Sequence, residues 1–293
     1  RATPTIINGM LFALGAEGRL HRLDPATGEV VWQADLQRDA GREPPTGGVS
    51  SSPLVVDEVV IVYAGGDADR GVLAYGIEDG KVRWGAPAGG HSYSSPQVVQ
   101  IAGQHSVAQV SDAGLALLDP ADGAVIWQHD WQHNSYRILQ PLLVGESTVL
   151  MSTDFSGTRR LDLRREGDGL AAEVRWTSRA MKPSYNDYAV HEGFLYGFDP
   201  NIFACVDMET GERMWKGGRY GNGQLLLLPD AAQPVVLSEK GEAVLLRTSP
   251  ERLEELTRFK VLEGKTWNHP VLVGDRLYAR NAKEAVAFEM PVN

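Results

Sequence analysis

The 293-residue chain has a single cysteine, which excludes any intrachain disulfide framework. Cys205 sits in the apolar run Phe203-Ala204-Cys205-Val206-Asp207 with no basic neighbour to activate it. It is expected as a buried thiol rather than a nucleophile. Basic charge is also short. Lys and Arg number 28 against 38 Asp and Glu, for a net charge of -10. An acidic surface repels phosphate backbones, and no basic stripe interrupts it, so nucleic-acid binding is excluded. The densest charged run, Pro250 to Lys260, mixes both signs. No apolar run approaches the roughly 20 residues that span a bilayer, so no transmembrane segment is expected. Linkers, low-complexity tracts and blocks of like charge are missing too, which leaves no sign of a domain boundary.

What the sequence does have is glycine, 32 residues spread along the whole chain, and a repeat. HRLDPATGEVVW at 21–32 returns as LALLDPADGAVIW at 115–127 and ACVDMETGERMW at 204–215, with a weaker copy, LAYGIEDGKVRW, at 73–84. The cycle around the second of these reads as four short strands. SSPQVVQI, QHSVAQV, GLALLD and AVIWQHD are separated by turns at Gly103, at Asp112-Ala113-Gly114 and at Asp119 to Gly123. Strand-one starts recur near Pro4, Pro53, Pro96, Pro141, Tyr188, Gln224 and Pro270. Four strands at a period of about 40–50 residues are the signature of a propeller blade. The expected fold class is therefore an all-β propeller with seven repeats, and residues 1–293 are expected to form one domain.

The repeated Asp, Gly and Trp fit a structural role. Gly supplies a positive φ in the turn between third and fourth strands, and Asp ties down nearby N–H groups. Trp follows Gly by four residues at Gly28/Trp32, Gly80/Trp84, Gly123/Trp127 and Gly211/Trp215. A constant offset places each indole at the same point of an outer strand, where it can pack on the next blade. Trp176 holds the position in the fourth copy after an enlarged turn, and Phe259 is the expected substitute in the sixth.

LDPATGEVVW, LDPADGAVIW and VDMETGERMW resemble the tryptophan-docking repeat of the pyrroloquinoline quinone (PQQ)-like β-propellers, over essentially the whole chain. GVSSSPLVV, HSYSSPQVV and TWNHPVLVGDRLYARN resemble the exported, non-dehydrogenase "PQQ-binding-like repeat" group of bacteria. The resemblance implies the fold, an extracytoplasmic and typically periplasmic location, and one of two functions. One is a non-catalytic scaffold for a protein, peptide or saccharide partner, with no cofactor. The other is a PQQ- and calcium-dependent alcohol or sugar dehydrogenase, or a degenerate relative of one. Those enzymes commonly carry adjacent cysteines over the quinone, which a chain with one cysteine cannot supply. They also place a carboxylate and amide set around calcium, and here only Asn186 and Asp187 offer part of one, with Asp187 as the base. A lyase or hydrolase acting on sugars would need a second carboxylate facing Asp187, and ranks last. The seventh copy ends after three strands, so a segment before Arg1, or an eighth blade in the parent protein, is expected to complete it.

Candidate binding residues come from the loops entering strand one, which gather at the channel mouth of a propeller. They are His91, Tyr93, His133, Asn134, Tyr136, Arg137, Tyr185, Asn186, Asp187, Arg219, Tyr220, Trp267, Asn268 and His269. Tyr, Trp and Arg favour recognition surfaces, while His and Asn orient polar ligands. Metal binding is not expected, because no His-x-x-x-His spacing occurs and His191-Glu192 lacks the second His of a zincin. Gly221-Asn222-Gly223 reads as a turn. Ser50 to Ser52 are turn residues, and no Ser/His/Asp triad can be assigned.

Overall fold

The computed structural model describes residues 2–132, 136–153, 156–228 and 233–290. Among these residues the chain forms seven antiparallel sheets in sequence order, six of four strands and a last of three. Every sheet is a meander whose consecutive strands pair through short turns. This is the all-β propeller architecture that the repeat predicts. First strands run Thr5–Ile7, Leu54–Val56, Gln97–Ile101, Leu142–Val144, Ala189–His191, Gln224–Leu228 and Val271–Val273. Each begins within one residue of the start read from the sequence. The last sheet stops after Arg276–Arg280 and Ala285–Glu289.

The chain divides into two compact units, Arg1–Met151 with Arg160–Arg175, and Ser152–Arg159 with Trp176–Asn293. Within each unit the core lies between successive sheets, because the middle strands are apolar on both faces. Val59–Tyr63 illustrates the cause. Val60 and Val62 pack with Phe12, Leu14 and Leu20 of the first sheet, whereas Ile61 and Tyr63 pack with Val107 and Leu118 of the third. Successive side chains of a strand point to opposite faces, so a strand clamped between two sheets reads as an unbroken apolar run. Full burial of each such aliphatic side chain contributes about 1.5–3 kcal/mol. The second unit repeats the pattern, with Phe198, Phe203 and Cys205 packed on Leu225, Val236 and Val244. Cys205 is buried as expected, and that burial pushes its thiol up to about 12.

The turns between third and fourth strands follow their sequence chemistry. Asp24 Oδ1 accepts from the N–H groups of Ala26 and Thr27, and Asp207 Oδ1 from those of Glu209 and Thr210, all at 2.8–2.9 Å. In the first, second, third and fifth sheets the outer strand carries one extra, unpaired residue directly before the tryptophan. These residues are Val31, Arg83, Ile126 and Met214. Such a bulge re-aims the next side chain, and the indoles reach the following sheet. Trp32 Nε1 donates to Ile77 O at 2.9 Å, Trp84 Nε1 to Pro120 O at 3.1 Å, Trp176 Nε1 to Met208 O at 3.0 Å and Trp215 Nε1 to Ser249 O at 2.8 Å. In the sixth sheet the bulge falls at Leu256, so register puts Thr257, not Phe259, at the tryptophan position. Phe259 still meets the next sheet, edge-on to Phe288 with centroids 5.9 Å apart. The sixth turn lacks the Asp-x-x-x-Gly spacing that sets the tryptophan position in the first, third and fifth copies.

Gly123 joins both halves of the motif. Its φ is +77°, and a Cβ there would stand 2.5 Å from the Trp84 ring. Substitution Gly123→Ala is therefore expected to destabilise the chain by about 1–3 kcal/mol, from backbone strain and displacement of the indole together. Urea unfolding against wild type measures this, and an unchanged midpoint would show that the ring does not need the glycine.

Candidate functional site

In an up-and-down meander the strands alternate in direction, so two kinds of connection emerge at the same end of a sheet. One is the loop entering strand one and the other is the turn between strands two and three. The candidate loops therefore meet turn residues from the sheets around them, and in each unit those turns supply the braces.

In the first unit, His91, Tyr93 and Tyr136 come together. Their rings lie 4.8 Å (His91–Tyr93), 5.3 Å (His91–Tyr136) and 5.6 Å (Tyr93–Tyr136) apart, centroid to centroid. Asp112, in a strand-two to strand-three turn, holds the loop by accepting from the N–H groups of Gly90 at 2.9 Å and His91 at 3.1 Å. Burial lowers the imidazole pKa of His91, against the pull of Asp112. Gly47 N–H donates to Tyr93 Oη at 3.1 Å. Tyr136 remains 54% exposed. Arg137 departs from expectation, because it is fully buried rather than presented to a partner. Its Nε donates to Ser111 O at 3.0 Å, its guanidinium lies 4.5 Å over the Trp131 ring, and its own carbonyl accepts from Tyr93 N–H at 2.7 Å. Arg137 is thus a strut beneath the aromatic cluster. His133 and Asn134 lie outside the described residues.

In the second unit, Tyr185 and Trp267 pack with centroids 5.2 Å apart. Gln224 Nε2 donates to both of their carbonyls, at 3.3 and 3.1 Å. Trp267 is 40% exposed. Its Nε1 donates to Glu239 Oε1 at 2.8 Å, while Lys265 Nζ sits 3.1 Å above the ring. That hydrogen bond from Trp267 is the leading reason the Glu239 carboxyl lies below its ordinary range. Burial, with Glu239 nearby, pushes the Tyr185 phenol up to about 12. His269 Nε2 stands 3.4 Å from Asp187 Oδ2. The Asp187 side chain is 57% open to solvent, yet the protein crowding around it raises its carboxyl, with His269 pulling the other way. Arg219 is exposed and Asn268 half-buried. Asn186 and Tyr220 are buried, contrary to a place on a contact surface. Asn186 Nδ2 donates to Gly223 O at 2.7 Å, and Tyr220 Oη donates to Glu255 at 2.7 Å. Both spend their polar groups inside the fold.

Sequence reading missed Asp112, Glu239 and Lys265. The first two stand in strand-two to strand-three turns, and the alternation of a meander was the signal that could have placed them beside the candidate loops.

Calcium takes six to eight oxygen ligands, but the Asn186 side chain is spent on backbone groups and Asp187 faces His269 rather than a second carboxylate. The residues do not fit a calcium–quinone centre. Among the described residues no group of three His, Cys, Asp or Glu side chains could hold a metal ion.

The family model described as outer membrane protein assembly factor BamB matches residues 2–217. Curated proteins of that description are similar over part of the chain. The protein from Shewanella oneidensis is 31% identical over 136 residues, 45% of this chain and 33% of that protein. The protein from Alkalilimnicola ehrlichii is 31% identical over 153 residues, 51% of this chain and 37% of that protein. The matched stretch thus spans about a third of those relatives' length. Among solved structures, BamB from Moraxella catarrhalis superposes with a TM-score of 0.51 at 15% identity, covering 98% of this chain and 95% of that one. The computationally designed Ika8 protein superposes with a TM-score of 0.54 at 10% identity, covering 94% and 91%. At these identities both speak for the fold alone.

Proposed function

The chain belongs to the family described as outer membrane protein assembly factor BamB, of PQQ-like propellers, and from that membership we propose a non-catalytic scaffold that binds a protein partner. We place it on the periplasmic side of the outer membrane, in the assembly of outer-membrane proteins. The observation that carries the proposal is the form of the two loop clusters. In each, one aromatic ring is open to solvent, Tyr136 or Trp267, while its neighbours are locked by buried hydrogen-bonded groups. A ring held in place loses little freedom on binding, which suits it as an anchor. His91, Tyr93, Tyr185, Asp187, Arg219, Asn268 and His269 would frame the contact, with Arg137, Asn186 and Tyr220 supporting it from within. Under the same proposal Trp32, Trp84, Trp127, Trp176 and Trp215 serve blade docking and take no part in recognition.

Affinity capture from envelope extracts of the source bacterium tests this. The immobilised chain is expected to retain a component of the outer-membrane protein assembly machinery. Tyr136→Ala and Trp267→Ala together are expected to weaken that retention at least about tenfold, the loss typical of anchor truncation. Retention unaffected by both changes would move the contact off these loops. No assembly component retained by the wild-type chain would overturn the scaffold proposal itself.

A further inference from the structure

A separate cluster lies in the fifth sheet. Asp199 opens the turn between Phe194–Phe198 and Phe203–Asp207, and its side chain is 1% exposed. Three cations close on it. Lys182 Nζ donates to Oδ1, while Arg213 Nη2 and Lys216 Nζ both donate to Oδ2 at 2.7 Å. One carboxylate neutralises one of the three charges. Two positive charges are left over within a patch a few ångströms across, on a chain whose net charge is -10.

The donors are held in place as well as gathered. Arg213 Nε and Nη2 also donate to Ala180 O at 3.1 and 2.8 Å, and Lys182 Nζ donates to Arg179 O at 2.9 Å. An ammonium has three N–H groups and a guanidinium five, so all three side chains keep donors beyond these bonds. The cations are partly open to solvent, whereas the carboxylate beneath them is not. The arrangement is therefore a buried anion ringed by partly exposed cations that keep unspent donors. Repulsion among three cations on one carboxylate is relieved by a second anion on the outer side.

We propose that Lys182, Arg213 and Lys216 form a binding site for a phosphate group, with Asp199 as the buried counter-charge that gathers the donors. Arg213 and Lys216 share one carboxylate oxygen, so a single tetrahedral oxyanion is large enough to touch both. A phosphate monoester carries nearly two negative charges and three terminal oxygens, which matches two surplus cations and three converging donors. A carboxylate offers one charge and two coplanar oxygens. The proposal does not depend on the scaffold function.

The test is the thermal unfolding midpoint of the chain against inorganic phosphate, with sodium chloride at matched ionic strength as control. A ligand that binds only the native state raises the midpoint by mass action. A saturable rise beyond the chloride control is expected. In Lys182→Gln/Lys216→Gln the half-saturating concentration should increase at least about tenfold, since two charge-assisted contacts are lost. No saturable rise in wild type, or an unchanged curve in the double variant, would overturn the site. Should the double variant fail to fold, Lys216→Gln alone decides, because it leaves Asp199 two partners; at least about a threefold weakening is expected. Co-sedimentation with vesicles of phosphatidic acid, whose headgroup is a phosphate monoester, against phosphatidylcholine identifies the source. Retention on phosphatidic acid that the lysine changes abolish points to a lipid headgroup, and a phosphate effect without retention points to a soluble phosphate ester. Either result supports the site.

Discussion

Replacing Trp84 with alanine is expected to destabilise the chain by about 3–5 kcal/mol, the range for truncating a buried tryptophan. Trp84 is the most deeply placed of the repeated indoles that reach the next sheet. Its ring lies on Gly123, its Nε1–H is satisfied by Pro120 O at 3.1 Å, and it belongs to the core shared by the second and third sheets. Alanine removes all three at once and leaves a cavity between two blades whose backbones cannot close up. A parallel Trp127→Ala change should cost distinctly less. The fourth sheet has a long hairpin, Gly157–Glu166 and Gly169–Ser178, in place of the Asp-x-x-x-Gly turn, so the floor that Gly123 gives Trp84 is missing there. Trp127 is only partly buried against the core shared by the third and fourth sheets and stacks on His129 of its own strand, with centroids 6.1 Å apart. Denaturant unfolding of the two variants side by side is the measurement. Equal losses would mean that the glycine floor contributes little and that burial of the ring alone sets the cost.

Asp199→Asn is expected to cost roughly 3 kcal/mol at neutral pH, the low end for breaking a buried charge cluster, because its cations can turn toward water. The sign of the pH dependence follows from the carboxyl. Burial works to raise its pKa, but hydrogen bonds from Lys182 and Lys216 outweigh it, so the folded-state value lies below the ordinary 3.8. A carboxylate depressed in the folded state contributes stability above its unfolded pKa and loses it as pH falls through the folded value. Wild type should therefore lose this contribution only below about pH 4, and Asp199→Asn should lack it at every pH. Plotted against pH, the difference between the two proteins should be flat from pH 7 to about 5 and shrink on further acidification. A difference that persists undiminished at pH 2.5 would mean that shape, not charge, makes Asp199 necessary.

The architecture was legible because it is written with local chemistry. Each Asp-x-x-x-Gly turn and each serine- or proline-marked strand start acts over a few residues, and repetition lets one clear copy interpret a weak one. The candidate site was legible only in part. Tyr136 and Trp267 stand on loops as their polar surroundings implied, but Arg137, Asn186 and Tyr220 are buried in spite of their polar groups. Composition cannot tell a polar side chain that meets a partner from one that satisfies the backbone of its own loop. That choice depends on whether carbonyls such as Ser111 O and Gly223 O lie within reach, and those come from segments distant in sequence. Phe259 shows the same limit from another side, since the pairing register, with its bulge at Leu256, puts Thr257 rather than Phe259 at the tryptophan position.

By itself, then, the sequence determined the fold class, the number of repeats and the strand starts, all consequences of short-range turn chemistry and two-residue alternation. Only the tertiary structure decided which aromatic rings stay open, which polar groups become struts, and that Lys182, Arg213 and Lys216 converge on Asp199. Those outcomes depend on which turns share an end of a sheet and on the distances between them, and no spacing along the chain encodes a distance across it.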